Sequence, residues 1–202
     1  MKMDGDEILQ LLISVVAVAL SLTLASGGSD TGSSDFIFYM CAFTLTVGLG
    51  FVLHEMAHKF VAMSYGARAT FRAWTAGLFL MLALAIVVRM TGLPIMFLAP
   101  GAVYIYATRL TKEQSGIISI AGPLTNIALS AIFFISAVIL LPISETATKI
   151  AVLGTSVNMF LAFFNMLPIF PLDGSKVFFW NRTIWLAVFG FTFIASSFMG
   201  FF

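Results

Sequence analysis

The amino-acid sequence predicts an all-α polytopic membrane protein with about six transmembrane helices plus one Pro/Gly-broken extended or re-entrant membrane segment. Three observations carry that expectation. Of the 202 residues, 60% are hydrophobic and only 9% are charged, and the mean hydropathy is +1.06, too apolar for a soluble domain of this size. Apolar runs near the ~20 residues that a helix needs to cross a bilayer core recur along the chain between short polar turns. One further stretch, 92–106, is as apolar as the others but is interrupted by Pro94 and by the Pro100-Gly101 pair. The formal net charge of +1 offers no basic field, so nucleic acid is not an expected partner; the lipid bilayer is. The single cysteine, Cys41, cannot form an internal disulfide and belongs to no metal-ligating cysteine cluster.

Taken in order, residues 8–25 form the first span. They follow an acidic start whose poverty in positive charge argues against a secretory signal. Residues 26–35, rich in Gly, Ser and Asp, are a polar loop. Residues 36–65 would be ~45 Å long if wholly helical, so this second span must tilt or protrude. Gly66 to Arg72 is a short basic turn, and residues 74–88 are a third apolar run ending at Arg89. In the broken stretch, Val103 and Ile105 alternate with Tyr104 and Tyr106 in a strand-like pattern. Extended backbone at membrane depth is tolerated where it is buried in protein or lines a watery cavity, which would place this stretch beside a functional site. A proline-kinked span with interfacial tyrosines is the alternative. Residues 111–116 are polar, 117–141 form a fourth span, 142–148 a turn and 151–170 a fifth span. Residues 176–182 hold the aromatic anchors Phe178, Phe179 and Trp180, and 184–202 form a sixth span. One transmembrane domain over 1–202 accounts for the sequence, with no appended soluble domain.

Charge placement orients this layout. With Arg68 and Arg72 in the cytoplasm, Arg109, Lys112, Lys176, Arg182 and Lys2 fall on the same side if the broken segment returns the chain across the membrane. Only Arg89 and Lys149 then lie outside, with Lys59 within its helix.

The chemistry is concentrated in Phe51-Val-Leu-His-Glu-Met-Ala-His-Lys59. On a helix, His54 and His58 stand one turn apart on the same face, so both imidazoles can reach one ion with Glu55 beside them. These are the only two histidines in the chain, and ionisable groups inside a membrane are functional by default. A catalytic zinc takes three protein ligands and keeps a position for water, and an adjacent carboxylate can take that water's proton. The candidate third ligand is Asp173, which ends a span next to Gly174 at the depth expected for the histidine pair. The other acids lie in terminal segments or loops. A turn or helix cap is the alternative role for Asp173.

Together, the HEMAH at 54–58, the Gly-Pro-Leu-Thr-Asn at 122–126 and the Asn-Met-Leu-Pro-Ile-Phe-Pro-Leu-Asp-Gly at 165–174 resemble the site-2 protease family of intramembrane zinc metalloproteases. The resemblance covers Phe36 to Lys176. It implies one zinc ion held by His54, His58 and Asp173, with Glu55 as general base. It also implies hydrolysis of peptide bonds in a transmembrane protein substrate, at a site nearer the cytoplasmic side. Asn126 and Asn165 match motif asparagines and are candidates for binding the substrate backbone or the oxyanion; polar contacts between helices are their alternative role. The PDZ and CBS domains that some relatives attach have no counterpart in this sequence. Two other readings remain open: a zinc-binding membrane protein that catalyses nothing, such as a carrier or sensor, and a pseudo-enzyme that only binds transmembrane helices. Glu55 separates them from a protease, since neither needs a base beside the water.

Overall fold

The computed structural model describes residues 3–26, 34–93, 98–107 and 109–199. Most of them are helical, and four helices are long and apolar enough to cross a membrane: Gly5–Ala25, the continuous Asp35–Ser64, Lys112–Leu140 and Glu145–Asn165. The other two apolar runs form the shorter helices Thr75–Thr91 and Arg182–Phe198, 17 residues each, or ~25 Å at 1.5 Å per residue. The polar loop expected at 26–35 lies mostly outside the described residues, as do the end of the last span and Pro94 to Phe97 within the broken segment.

The chain divides into two compact units. The first comprises Met1–Val52 and Thr70–Tyr104. Helix α1 (Gly5–Ala25) begins at Asp4, whose carboxylate accepts from the Glu7 N–H at 2.7 Å, a side-chain cap for an otherwise unpaired donor. α2 (Ser34–Phe43) runs through a π-helical turn, Thr44–Gly48, into α3 (Leu49–Ser64). α4 (Thr75–Thr91) ends at Gly92, whose left-handed backbone (φ 69°) suits a residue without Cβ.

Two strands form one small sheet, β1 (Arg68–Ala73) and β2 (Gly101–Tyr106). The alternation read at Val103 to Tyr106 is therefore a strand, with half-buried and exposed residues alternating along it, and the kinked-helix alternative does not hold for 101–106. The basic turn expected at Gly66 to Arg72 is a correction: it is mostly strand. Its sequence gave little sign of this, because two of its six residues are arginine, and strand formation here depends on neighbours. Glu7 Oε1 accepts from Phe71 N and Gln10 Oε1 from Ala73 N, both at 2.9 Å, so side chains of α1 occupy outward-facing donors of β1. The Trp74 N–H donates to Pro100 O at 2.9 Å. A Cβ on Gly77 would lie 2.5 Å from Ala99 O. After α4 the chain has thus come back to the end at which that helix began.

The second unit comprises Leu53–Ala69 and Ile105–Phe202. α5 (Lys112–Leu140) starts five residues before the expected start of the span at Ile117, because Thr111 and Gln114 form a reciprocal capping box. α5 packs on α6 (Glu145–Asn165) and on α7 (Asp173–Trp180), and α8 (Arg182–Phe198) packs on α6 and α7. Helix α7 includes the aromatic anchors Phe178, Phe179 and Trp180. It forms because Val177 is fully buried with Ile120 and Met166, with Trp180 and Trp185 packed against that cluster, and because the Trp185 indole N–H donates to Met166 O at 2.9 Å.

Candidate metal centre

Three elements of the second unit supply the site. α3 carries His54, Glu55 and His58, and all three are buried. The i, i+4 spacing puts the two imidazoles one above the other, ring centroids 4.6 Å apart. Asp173 is the first residue of α7. The chain reaches it through 166–172, where the Leu172 carbonyl accepts from Ser175 Oγ at 2.7 Å. Gly174 allows the close approach, since a Cβ there would fall on the backbone carbonyl of Met166. The third element is α5, which faces the histidines with Gly122.

Asp173 Oδ2 lies 3.3 Å from His54 Nε2 and 3.0 Å from His58 Nε2. The two Nε2 atoms are 3.0 Å apart. The sequence placed these three residues at one ion, and the structure brings them together; among the described residues they form a three-residue cluster of metal-ligating groups. The other Asp173 oxygen, Oδ1, is 3.6 Å from the Lys176 ammonium.

Whether these residues fit a cation is decided on the far side of each ring. His54 Nδ1 is 2.6 Å from Asn126 Oδ1, and His58 Nδ1 is 2.7 Å from the Ile118 carbonyl. Both partners are acceptors, so each Nδ1 carries the ring proton and each Nε2 keeps a lone pair. Two lone-pair nitrogens and a carboxylate oxygen then face one another at 3.0–3.3 Å, an arrangement that a shared cation relieves. Donors bound to a tetrahedral zinc at ~2.0–2.1 Å lie ~3.3 Å apart, close to this spacing. Two imidazoles and a carboxylate are a known catalytic zinc set with a position left for water.

Gly122 is why α5 can come this close. A Cβ there would sit 2.5 Å from both Nε2 atoms. Four residues on, one turn along the same face, Asn126 meets His54. Pro123 lies inside α5 and has no N–H for the Ser119 carbonyl, so the helix ladder is interrupted beside the Ile118 carbonyl that takes His58.

Asn126 is fully buried and directed to His54, with its Nδ2 donating to Asn158 Oδ1 at 3.0 Å. These bonds are polar contacts between helices, the alternative role read for Asn126. Asn165 is half-buried and donates from Nδ2 to Leu161 O of its own helix at 3.0 Å. Sequence reasoning passed over Asn158, since a polar residue inside an apolar helix carries no signal of what it faces. It also passed over the Ile118 carbonyl, as a backbone group has no sequence signature.

The chain is 45% identical over 187 residues to a Methanocaldococcus jannaschii protein named "Putative zinc metalloprotease MJ0611", an alignment covering 93% of this chain and 91% of that one. It is 34% identical over 110 residues to "Putative zinc metalloprotease Rip3" of Mycobacterium tuberculosis, covering 50% of this chain and 28% of the relative. No family model matches the chain, and no solved structure matches it significantly. The names of these relatives and the donor set agree on zinc as the ion.

Proposed function

Because this chain belongs to the site-2 protease family of zinc metalloproteases, we propose that it hydrolyses peptide bonds of membrane-spanning substrates within the bilayer. The observation that carries the reading is the convergence of His54 Nε2, His58 Nε2 and Asp173 Oδ2, with each Nδ1 bonded to a fixed acceptor. His54, His58 and Asp173 would hold a zinc ion, which would supply Lewis acidity toward a scissile carbonyl and lower the pKa of water at the site toward ~7. Glu55, next to His54 in α3 and buried, takes the water's proton and passes it to the leaving amine. A carboxylate at membrane depth costs ~2.5–3.5 kcal/mol even on insertion scales, so this reading requires Glu55 and Asp173 to face the ion's position and a wet pocket. Asn165 has one amide N–H committed to Leu161 O; in this reading its oxygen accepts from the substrate backbone.

A helical substrate has its carbonyls hydrogen-bonded within the helix, and must unwind to be cut. Addition as a strand restores the lost backbone bonds. With donors of β1 held by Glu7 and Gln10, β2 is the strand that receives it. Val103→Pro or Ile105→Pro removes a backbone donor from β2 and is expected to impair cleavage about tenfold or more with zinc content unchanged. Unaltered cleavage by both variants would count against strand addition.

The six apolar helices are read as six spans, with the metal centre nearer the cytoplasmic side. The return of the chain from α4 to Pro100, beside Trp74, supports the charge-based orientation that puts Arg72 and Arg109 together. Protease sites inserted beside Arg72 and Arg109 are expected to be cut from the same side of sealed vesicles; cutting from opposite sides would overturn the topology.

The direct test uses the protein in liposomes with a library of synthetic single-span peptides. Cleavage inside a span, lost with a chelator and restored by zinc, is the expected result. Zinc bound without cleavage of any span would favour the non-catalytic carrier or sensor.

A further inference from the structure

We propose that Asn158, acting through Asn126, determines which ring nitrogen of His54 faces the metal, so that it is a positioning residue of the zinc site. The inference rests on the zinc reading but not on the proteolytic one.

The argument begins at a backbone carbonyl, which can only accept. Asn158 Nδ2 lies 2.9 Å from Gly154 O, one turn earlier in α6. That contact fixes the Asn158 amide with its NH₂ toward Gly154 and its oxygen toward α5. Asn158 Oδ1 is 3.0 Å from the Asn126 amide, which must therefore present its own NH₂. Asn126 Oδ1 is left for His54, 2.6 Å from Nδ1. His54 thus holds its proton on Nδ1 and offers a bare Nε2 to Asp173 and His58. Turning any amide in the series around sets donor against donor or acceptor against acceptor. Both asparagines are fully buried, where an unmade bond costs ~1–3 kcal/mol.

The bond between Asn126 and the imidazole does not impose this by itself. An isolated amide satisfies an imidazole either way round: its oxygen accepts from Nδ1–H, or its NH₂ donates to a bare Nδ1. The second arrangement puts the ring proton on Nε2, in the place of the metal. The carbonyl at the end of the series, reached through Asn158, excludes it. His58 shows the contrast, because its Nδ1 goes straight to the Ile118 carbonyl, which has only one sense and needs no relay. An asparagine inside α6, a residue of poor helix propensity, is accounted for by this task.

The test reads zinc affinity and ring protonation rather than cleavage. Asn158→Leu keeps the size and removes both hydrogen-bonding groups, and zinc affinity, measured on the full chain by competition with a chelator, is expected to fall ~10–100-fold. Adding Asn126→Asp to that variant is expected to restore affinity to within about threefold, since a carboxylate can only accept and has no wrong orientation. Retention of wild-type affinity by Asn158→Leu would overturn the proposal. So would a loss that Asn126→Asp does not repair, which would mark a merely structural role.

A second measurement stands independently if Asn158→Leu fails to fold. The chain has two histidines, so ¹⁵N-labelled histidine yields a spectrum from two rings alone. Wild-type protein is expected to show His54 protonated at Nδ1, and protonation at Nε2 would sink the relay. This spectrum reports on the relay even if the wild type cuts no peptide, so the failure of one reading is distinguishable from that of the other.

Discussion

Glu55→Gln is expected to lower peptide cleavage by ~10²–10⁴-fold, the range that a positioned general base contributes, while the protein keeps one zinc per chain. The substitution preserves side-chain length and removes only the capacity to take a proton. None of the three converging donor atoms belongs to residue 55, so zinc affinity should not change with the rate. The combination is diagnostic. A carrier or sensor needs His54, His58 and Asp173 but no base, and would behave as wild type. Zinc content measured beside cleavage of a single-span peptide separates the outcomes: cleavage that persists at the wild-type rate excludes Glu55 as the base, and loss of both zinc and cleavage makes it structural.

Gly122→Ala should be as damaging, by a different route. The added methyl carbon would lie 2.5 Å from Nε2 of both histidines and 2.6 Å from Cε1 of His54, on the side where donors converge. The rings can retreat only by giving up Asn126 Oδ1 and the Ile118 carbonyl, the contacts that hold their tautomers. Zinc should be lost at concentrations that saturate the wild type, and cleavage should fall with it. The helix itself should not suffer, since alanine is favoured over glycine in a helix interior by ~0.8–1 kcal/mol. Thermal unfolding of the metal-free forms checks this: an unchanged or higher midpoint puts the damage at the site. A Gly122→Ala protein that binds zinc and cleaves normally would show that α5 does not approach the histidines this closely.

The metal centre was legible because its chemistry and its periodicity coincide. Two histidines four apart in an apolar run define a helix face and a ligand pair together. Asp173 could be reached by elimination because the chain has few acids and most lie in termini or loops. Strand β2 was legible from its alternation, which survives without a partner in view. Strand β1 was not, because what makes it a strand is Glu7 and Gln10, some sixty residues earlier, bonding to its edge. The π-helical turn at Thr44–Gly48 has no composition to betray it. Helix α7 forms around the burial of Val177 rather than from any local pattern, and its aromatic end reads equally well as a membrane anchor. The capping box at Thr111 and Gln114 is a missed signal, since T-x-x-Q before an apolar run marks a helix start. Asn126 and Asn158 show the limit most clearly: the sequence says that each is polar in an apolar helix, and only the fold says which partner each one faces.

The account depends most on three side chains sharing one ion. X-ray absorption at the zinc edge of the purified full chain, read for the wild type and for Asp173→Ala, tests that directly. The expected wild-type spectrum has two imidazole nitrogens at ~2.0–2.1 Å with oxygen donors at ~2.0–2.2 Å, and Asp173→Ala should bind zinc far more weakly or with an oxygen shell made of water alone. A first shell with fewer than two imidazoles, or one that Asp173→Ala leaves unchanged in composition and affinity, would contradict the account.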